Sequence, residues 1–178
     1  MLSSSELRKE YDGMKKIYIA GPDVFENDSI EIGERLIALC KEYGYEGLYP
    51  LDNIVDFSQE KQKIADDIFK ANIKMIQQAD IIIANLNPFR GKEADSGTVW
   101  ECGYGYGLGK EVYGYMRETE DYIKRFSLHE KSLKENHYVD SEGRFIEDFE
   151  HPINLMIACS VQEIVEGSFE TVLQMITK

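Results

Sequence analysis

The run Ile81-Ile82-Ile83-Ala84-Asn85-Leu86 constrains the fold of this chain more than any other feature. A strand with one wet face alternates apolar and polar residues, because successive side chains point to opposite faces. This run does not alternate, so it reads as a strand covered on both faces, as in a parallel sheet sandwiched between helices. Parallel neighbours need crossover connections, and the rest of the sequence supplies them. Lys16 to Ala20 is a short β-rich run that stops at Gly21-Pro22. Asp28 and Glu31 form a D-x-x-E variant of the capping box, and Ile32, Leu36, Leu39, Cys40 and Tyr43 behind it share one helical face, with Gly44 as the stop. Tyr45 to Leu51 reads as a second strand. Residues 60–78 read as a second helix, with Ile64, Ile68, Ala71, Met75 and Ile76 on its buried stripe.

After the apolar run comes a polar loop, residues 87–97, then a helix over Thr98 to Leu108 and a fourth strand over Val112 to Met116. Residues 117–150 are charged with broken periodicity, an insertion expected to be partly helical around Tyr122 to Leu133. Pro152 to Cys159 is expected to be the fifth strand. Ser160 and Glu163 then make a capping box for a final helix, striped by Ile164, Val165, Val172, Leu173 and Ile176. Five strands alternating with helices predict an α/β fold: a flavodoxin-like, doubly wound five-stranded parallel sheet of order 2-1-3-4-5. Residues 1–14 read as a flexible arm and residues 15–178 as one domain, a length that supports a proper core.

Composition narrows the partners. The net charge of −13 opposes binding of a nucleic-acid polymer, and the Lys and Arg residues are scattered rather than clustered. No apolar run is long enough to span a membrane, and Met1 to Met14 lack the apolar core of a signal peptide. Cys40, Cys102 and Cys159 lie far apart in apolar runs, so buried reduced thiols and a reducing, cytoplasmic compartment are expected. His129, His137 and His151 are dispersed, which leaves no metal-ligand set, and no cofactor is expected.

In such a sheet ligands bind beyond the carboxyl ends of the strands. That nominates Gly21-Pro22-Asp23, Leu51-Asp52-Asn53, the loop 87–97 and the segment around the fifth strand. The loop is the richest, and it feeds into a helix that carries Glu101. Asp95 and Glu101 can both face one cleft, and two carboxylates beside a glycosidic carbon are what retaining glycosyl transfer uses. On spacing alone, the commoner outcome is that Asp95 or Ser96 merely caps the helix and Glu101 is solvated. Val99, Trp100 and Cys102 around Glu101 favour a buried, purposeful acid. The glycines from Gly103 to Gly109 are no nucleotide fingerprint, because Leu108 stands where the third glycine is needed and the run follows no strand.

Tyr18-Ile19-Ala20-Gly21-Pro22, Asn87-Pro88-Phe89-Arg90-Gly91, Glu93-Ala94-Asp95-Ser96-Gly97-Thr98 leading to Glu101-Cys102-Gly103, and Pro152-Ile153-Asn154-Leu155-Met156 together resemble the nucleoside 2-deoxyribosyltransferases, in that family's order. The resemblance implies an enzyme that moves 2-deoxyribose from a deoxynucleoside to another purine or pyrimidine base. Glu101 would be the nucleophile, and Asp95 would hold the sugar hydroxyls and orient Glu101. Tyr18, Gly21 and Pro22 would shape the pocket floor, Asp52 and Asn53 would lie beside the base, and Phe89, Arg90, Ser96 and Gly97 belong to the matched loop. Asn154 and Met156 would complete a neighbouring subunit's site, making the working unit a homo-oligomer. Asn72 stands where several bacterial members have an aspartate serving the base, and Ile54 replaces their glutamine. The insertion would either pack on the subunit edge or close over the pocket. Two rivals remain: a hydrolase of deoxynucleoside 5′-monophosphates, with Ser96, Arg90 and Lys92 around the phosphate, and a non-catalytic nucleotide-binding module.

Overall fold

The computed structural model describes residues 13–52, 56 and 58–178. Strands β1 (Lys16–Ala20), β2 (Glu46–Leu48), β3 (Ile81–Asn85), β4 (Glu111–Met116) and β7 (Glu163–Glu166) form one sheet of order β2-β1-β3-β4-β7. Every pairing in it is parallel. This is the doubly wound order 2-1-3-4-5 with β7 as the fifth member. Helices α1 (Ser29–Glu42) and α5 (Phe169–Ile176) cover one face, and α2 (Lys61–Gln78), α3 (Ser96–Gly107) and the single turn α4 (Leu155–Ala158) cover the other.

The apolar run behaves as its lack of alternation demands. Ile82 and Ala84 enter the core beneath α2, α3 and α4, whereas Ile81 and Ile83 enter the core beneath α1 and α5. Strand β1 follows the same rule, sending Tyr18 and Ala20 to the first core and Ile17 and Ile19 to the second. The parity of Tyr18 therefore places it on the α3 face, which matters below.

The C-terminal third departs from expectation. Pro152 to Cys159 is not a strand: Ile153 and Ile157 are both buried four residues apart, which is helical spacing, and Asn154 caps the turn by accepting the Met156 N–H at 3.0 Å. The fifth strand is Glu163–Glu166, so Ser160 and Glu163 open no helix. The cap of α5 is Ser168, in a reciprocal box with Thr171. Asp28 precedes α1 without any side-chain cap bond. Ile68, expected on a buried stripe, is exposed, and so is Cys159, although Cys40 and Cys102 are buried.

The insertion is built from a 3-10 turn at Tyr122–Arg125 and an antiparallel hairpin, β5 (Lys131–Lys134) with β6 (His137–Asp140). Its two-residue turn, Glu135-Asn136, has φ of 48° and 69°, the mirror-image geometry that suits the strand twist. The segment packs on the edge of the chain beside loop 87–97: Lys92 Nζ donates to the Arg125 carbonyl at 2.7 Å, and Arg125 donates back to the Lys92 carbonyl at 2.8 Å. Among the described residues no helix is long and apolar enough to cross a membrane.

Candidate active site

The site is assembled where β1 and β3 end and α3 begins. Asp95 is the N-cap of α3, its Oδ2 accepting the Thr98 N–H at 2.9 Å and the Thr98 hydroxyl at 3.0 Å. Both bonds use one oxygen, which leaves Oδ1 for a ligand. Thr98 is a buried polar residue, 1% exposed, and this bond satisfies it. The capping role and the cleft-facing role, alternatives on spacing alone, are thus compatible in one carboxylate.

Glu101 follows in the second turn. Its Oε1 accepts a hydrogen bond from the Tyr18 hydroxyl at 2.6 Å, so β1 and α3 meet at the carboxylate. Burial pushes the Glu101 carboxyl up to about 7; the Tyr18 bond works against that rise and the Asp95 charge adds to it. Tyr18 itself is raised far above the ordinary phenol value, by burial first and by the neighbouring Glu101 charge second, so it remains a donor. Near neutrality Glu101 is therefore poised between acid and carboxylate.

Glu101 opens into a cavity of about 550 Å³. Gly21, Asn72, Asp95, Gly97 and Glu101, all singled out from sequence, line it. So does Leu51, nominated with the loop after the second strand, and so do Val24, Phe25, Ile30 and Ile68, which sequence reasoning missed as site residues; together they make much of the wall apolar. At Gly21 an added Cβ would lie 2.4 Å from Asp23 Oδ2 and 3.0 Å from Asn85 Cβ, so a side chain here would displace the Asp23 carboxylate and press on Asn85. Asn85 Nδ2 donates to Asp23 Oδ2 at 3.0 Å and fixes the turn after β1. Phe89 and Arg90 act at one remove: the Phe89 ring stacks on Phe25 at 5.5 Å, and the Arg90 guanidinium sits 4.6 Å and 5.2 Å from the two ring centres.

The remaining nominees sit elsewhere. Pro22 is buried in the turn after β1. Asp52 follows the cavity-lining Leu51, but its carboxylate accepts the Tyr49 N–H, and burial raises its pKa. Asn53 and Ile54 lie outside the described residues. Ser96 is exposed at the first position of α3. Lys92 is engaged by Glu130 and the Arg125 carbonyl. Asn154 and Met156 do not line the cavity of their own chain; Met156 projects outward, 73% exposed. A second hollow of about 340 Å³ shares Asn72, Gly97 and Glu101 with the first and runs out past Phe69 and Trp100. There Trp100 stacks on Tyr104 at 5.3 Å and meets Phe69 at 5.7 Å, leaving an aromatic surface beside the carboxylate. No group of His, Cys, Asp and Glu with metal-binding geometry exists among the described residues.

A largely buried carboxylate with a second carboxylate nearby, in a cavity of ordinary small-molecule size, can perform covalent glycosyl transfer. Comparison with known proteins shows the family. The family model for nucleoside 2-deoxyribosyltransferase matches residues 17–156. A solved 2-desoxiribosyltransferase from Leishmania mexicana is 32% identical, with 92% of this chain and 97% of that one covered and a TM-score of 0.72. A 2-deoxyribosyltransferase from Bacillus psychrosaccharolyticus shares the fold, at 22% identity and a TM-score of 0.57 over 89% of this chain and 90% of that one. An uncharacterised protein of Schizosaccharomyces pombe is 29% identical over 122 residues, 65% of this chain and 56% of the relative, so the chain spans little more than half of that curated protein.

Proposed function

The chain belongs to the nucleoside 2-deoxyribosyltransferase family, and from that premise we propose that it exchanges the base of a 2′-deoxynucleoside through a covalent bond to Glu101. The observation that carries the reading is the Glu101 carboxylate, buried at the cavity wall with one oxygen held by Tyr18. That hydrogen bond occupies Oε1 and leaves Oε2 to attack C1′. The C1′–N bond breaks, its electron pair goes to the base, and the base takes a proton from the medium or an acid within reach. A second base then attacks C1′ from the side the first one left. The ester C–O bond breaks, the carboxylate is regenerated, and the incoming nitrogen sheds its proton. Two inversions give retention.

The transition state is cation-like, and an adjacent carboxylate stabilises it once the bound donor has displaced water from the cavity. Deoxyribose suits this route, because it lacks the 2′-hydroxyl that withdraws electrons from the forming cation. Asp95 Oδ1 is the group best disposed to hold a sugar hydroxyl, and the apolar wall of Phe25, Ile30, Leu51 and Ile68 suits the flat base. In this reading the working unit is a homo-oligomer of a cytoplasmic enzyme. Asn154 and the exposed Met156 of one copy enter the hollow beside Glu101 and Trp100 of the next.

Arg90 favours one second reading, cleavage of deoxynucleoside 5′-monophosphates by water, since its guanidinium stands on the ring of Phe89 and on that of Phe25, which lines the cavity. Against it, the described cavity lining contains Asp95 and Glu101 and no Lys or Arg. The test is direct. The protein is incubated with thymidine and free adenine, and separately with a deoxynucleoside monophosphate and no acceptor, and products are resolved by chromatography. Deoxyadenosine is the expected product. Free base with deoxyribose 5-phosphate would replace the transferase by the hydrolase, and inert mixtures would leave a binding module.

A further inference from the structure

We propose that Glu147, in the inserted segment, is a positioning residue that sets the Asn154 carboxamide for the site of a neighbouring copy. This rests on the reading that Asn154 crosses between subunits. A four-residue helix such as α4 cannot hold its own first turn, because helix nucleation is costly and its leading N–H groups lack intrahelical partners. Two groups supply what is missing. Asn154 Oδ1 accepts the Met156 N–H at 3.0 Å, and Glu147 accepts both the Leu155 N–H at 2.9 Å and the Asn154 Nδ2 at 2.7 Å.

These contacts decide which way the carboxamide faces. An Asn side chain has two N–H donors and a carbonyl oxygen with two lone pairs. The cap takes one lone pair and Glu147 takes one donor, and a carboxylate can only accept, so the flipped amide is excluded. One donor and one lone pair remain, in a fixed orientation, and this is the equipment a sugar hydroxyl needs. Met156, two residues on, is exposed alongside.

Glu147 is itself held. Ile146 before it is buried, and its N–H donates to the Tyr138 carbonyl in the hairpin at 2.9 Å. The insertion then grips both sides of the arm. The Tyr122 N–H donates to the His151 carbonyl at 2.7 Å, and Arg125 donates to the carbonyls of Pro152 and Lys92. Lys92 and Glu93, the latter accepting from the Tyr122 hydroxyl, belong to the loop that carries Asp95. The insertion thus braces the arm offered to the neighbour against the loop of its own active site.

The experiment is a complementation. Glu147→Ala and Glu147→Gln are assayed for base exchange with a deoxynucleoside donor and a free base, with thermal melts to verify folding. The expected result for Glu147→Ala is a donor KM raised about 3- to 10-fold, the loss of roughly one hydrogen bond, with kcat little changed and the acid limb of the pH profile unmoved. Glu147→Gln can still accept one of the two bonds and should shift KM less. Glu147→Ala is then co-refolded with catalytically dead Glu101→Gln chains. In mixed assemblies, a site with an intact Glu101 is served by an arm with an intact Glu147, so the wild-type KM returns. A raised KM that mixing does not restore, or an unchanged KM in Glu147→Ala, overturns the proposal. Wild-type kinetics in Asn154→Ala would instead sink the subunit-crossing reading beneath it.

Discussion

Replacing Tyr18 by phenylalanine removes one oxygen and leaves a fully buried ring in place, so the change isolates the hydrogen bond to Glu101. That bond is 2.6 Å long and donates to an ionisable carboxylate, so it favours the charged form. Hydrogen bonds to charged groups are worth about 1.5–3 kcal/mol, and the low end applies here because water in an open cavity replaces part of the bond. At about 1.4 kcal/mol per factor of ten, its loss multiplies the ratio of neutral acid to carboxylate roughly tenfold. Glu101 starts at about 7, near half ionised at neutral pH. In the variant about one molecule in ten carries the nucleophile at pH 7, so kcat/KM falls about fivefold there. Above about pH 9 the carboxylate is largely restored and the deficit should shrink. The assay is base exchange over pH 5 to 10, with a melt at each pH to exclude unfolding. An acid limb at the same pH as wild type, or a loss equally deep at every pH, would refute the claim that Tyr18 acts by keeping Glu101 ionised.

Other outcomes follow from the same residues. Glu101→Gln should abolish exchange; because Glu101 is raised from 4.5 to about 7 in the fold, its contribution to stability is full below pH 4.5 and lost as pH rises through 7. The variant should therefore be more stable than wild type at pH 8 to 9, by up to about 3 kcal/mol in denaturant titrations, and not at pH 4. Asp95→Asn keeps a good N-cap but removes a charge that raises Glu101, so its acid limb should move to lower pH, opposite to Tyr18→Phe, with a higher KM for the sugar donor. Asp95→Ala should in addition lose about 1 kcal/mol of stability by chemical denaturation, because the Thr98 N–H loses its partner. Gly33→Ala, a change that ordinarily stabilises a helix, should here cost about 1–3 kcal/mol, since the new Cβ would stand 2.4 Å from the rigid Tyr49 ring.

The elements that sequence reveals well are those whose burial is symmetric. β3 sits mid-sheet with both faces covered, so its apolar run has one meaning; β1 and β4 share that environment. β7 is an edge strand of four residues bounded by acids, Glu163 and Glu166, and half of its pattern is wet. Its signal is weaker than that of Pro152 to Cys159, where Ile153 and Ile157 look like strand residues until their spacing is matched to a turn of helix with an Asn cap. The hairpin of the insertion escaped for the same reason: of its eight residues only Val139 is buried, so no alternation survives.

The site divides along a similar line. Glu101 stood out because an acid among apolar neighbours costs free energy to bury and so calls for a reason, whereas Asp95 was nominated from its place in the polar loop ahead of the helix and from the family resemblance. The apolar wall was not legible as a surface: Leu51 was nominated only with its loop, and Phe25, Ile30 and Ile68 come from three other segments. Each alone is an ordinary apolar residue, and only the doubly wound topology, which gathers the ends of β1, β2 and β3 at one edge, turns them into a common surface. The Tyr18–Glu101 bond lies between these extremes. Strand parity puts Tyr18 on the face that α3 covers, and helix register puts Glu101 over it. A single-residue slip in β1 would send that hydroxyl to the opposite core and leave the carboxylate without its donor.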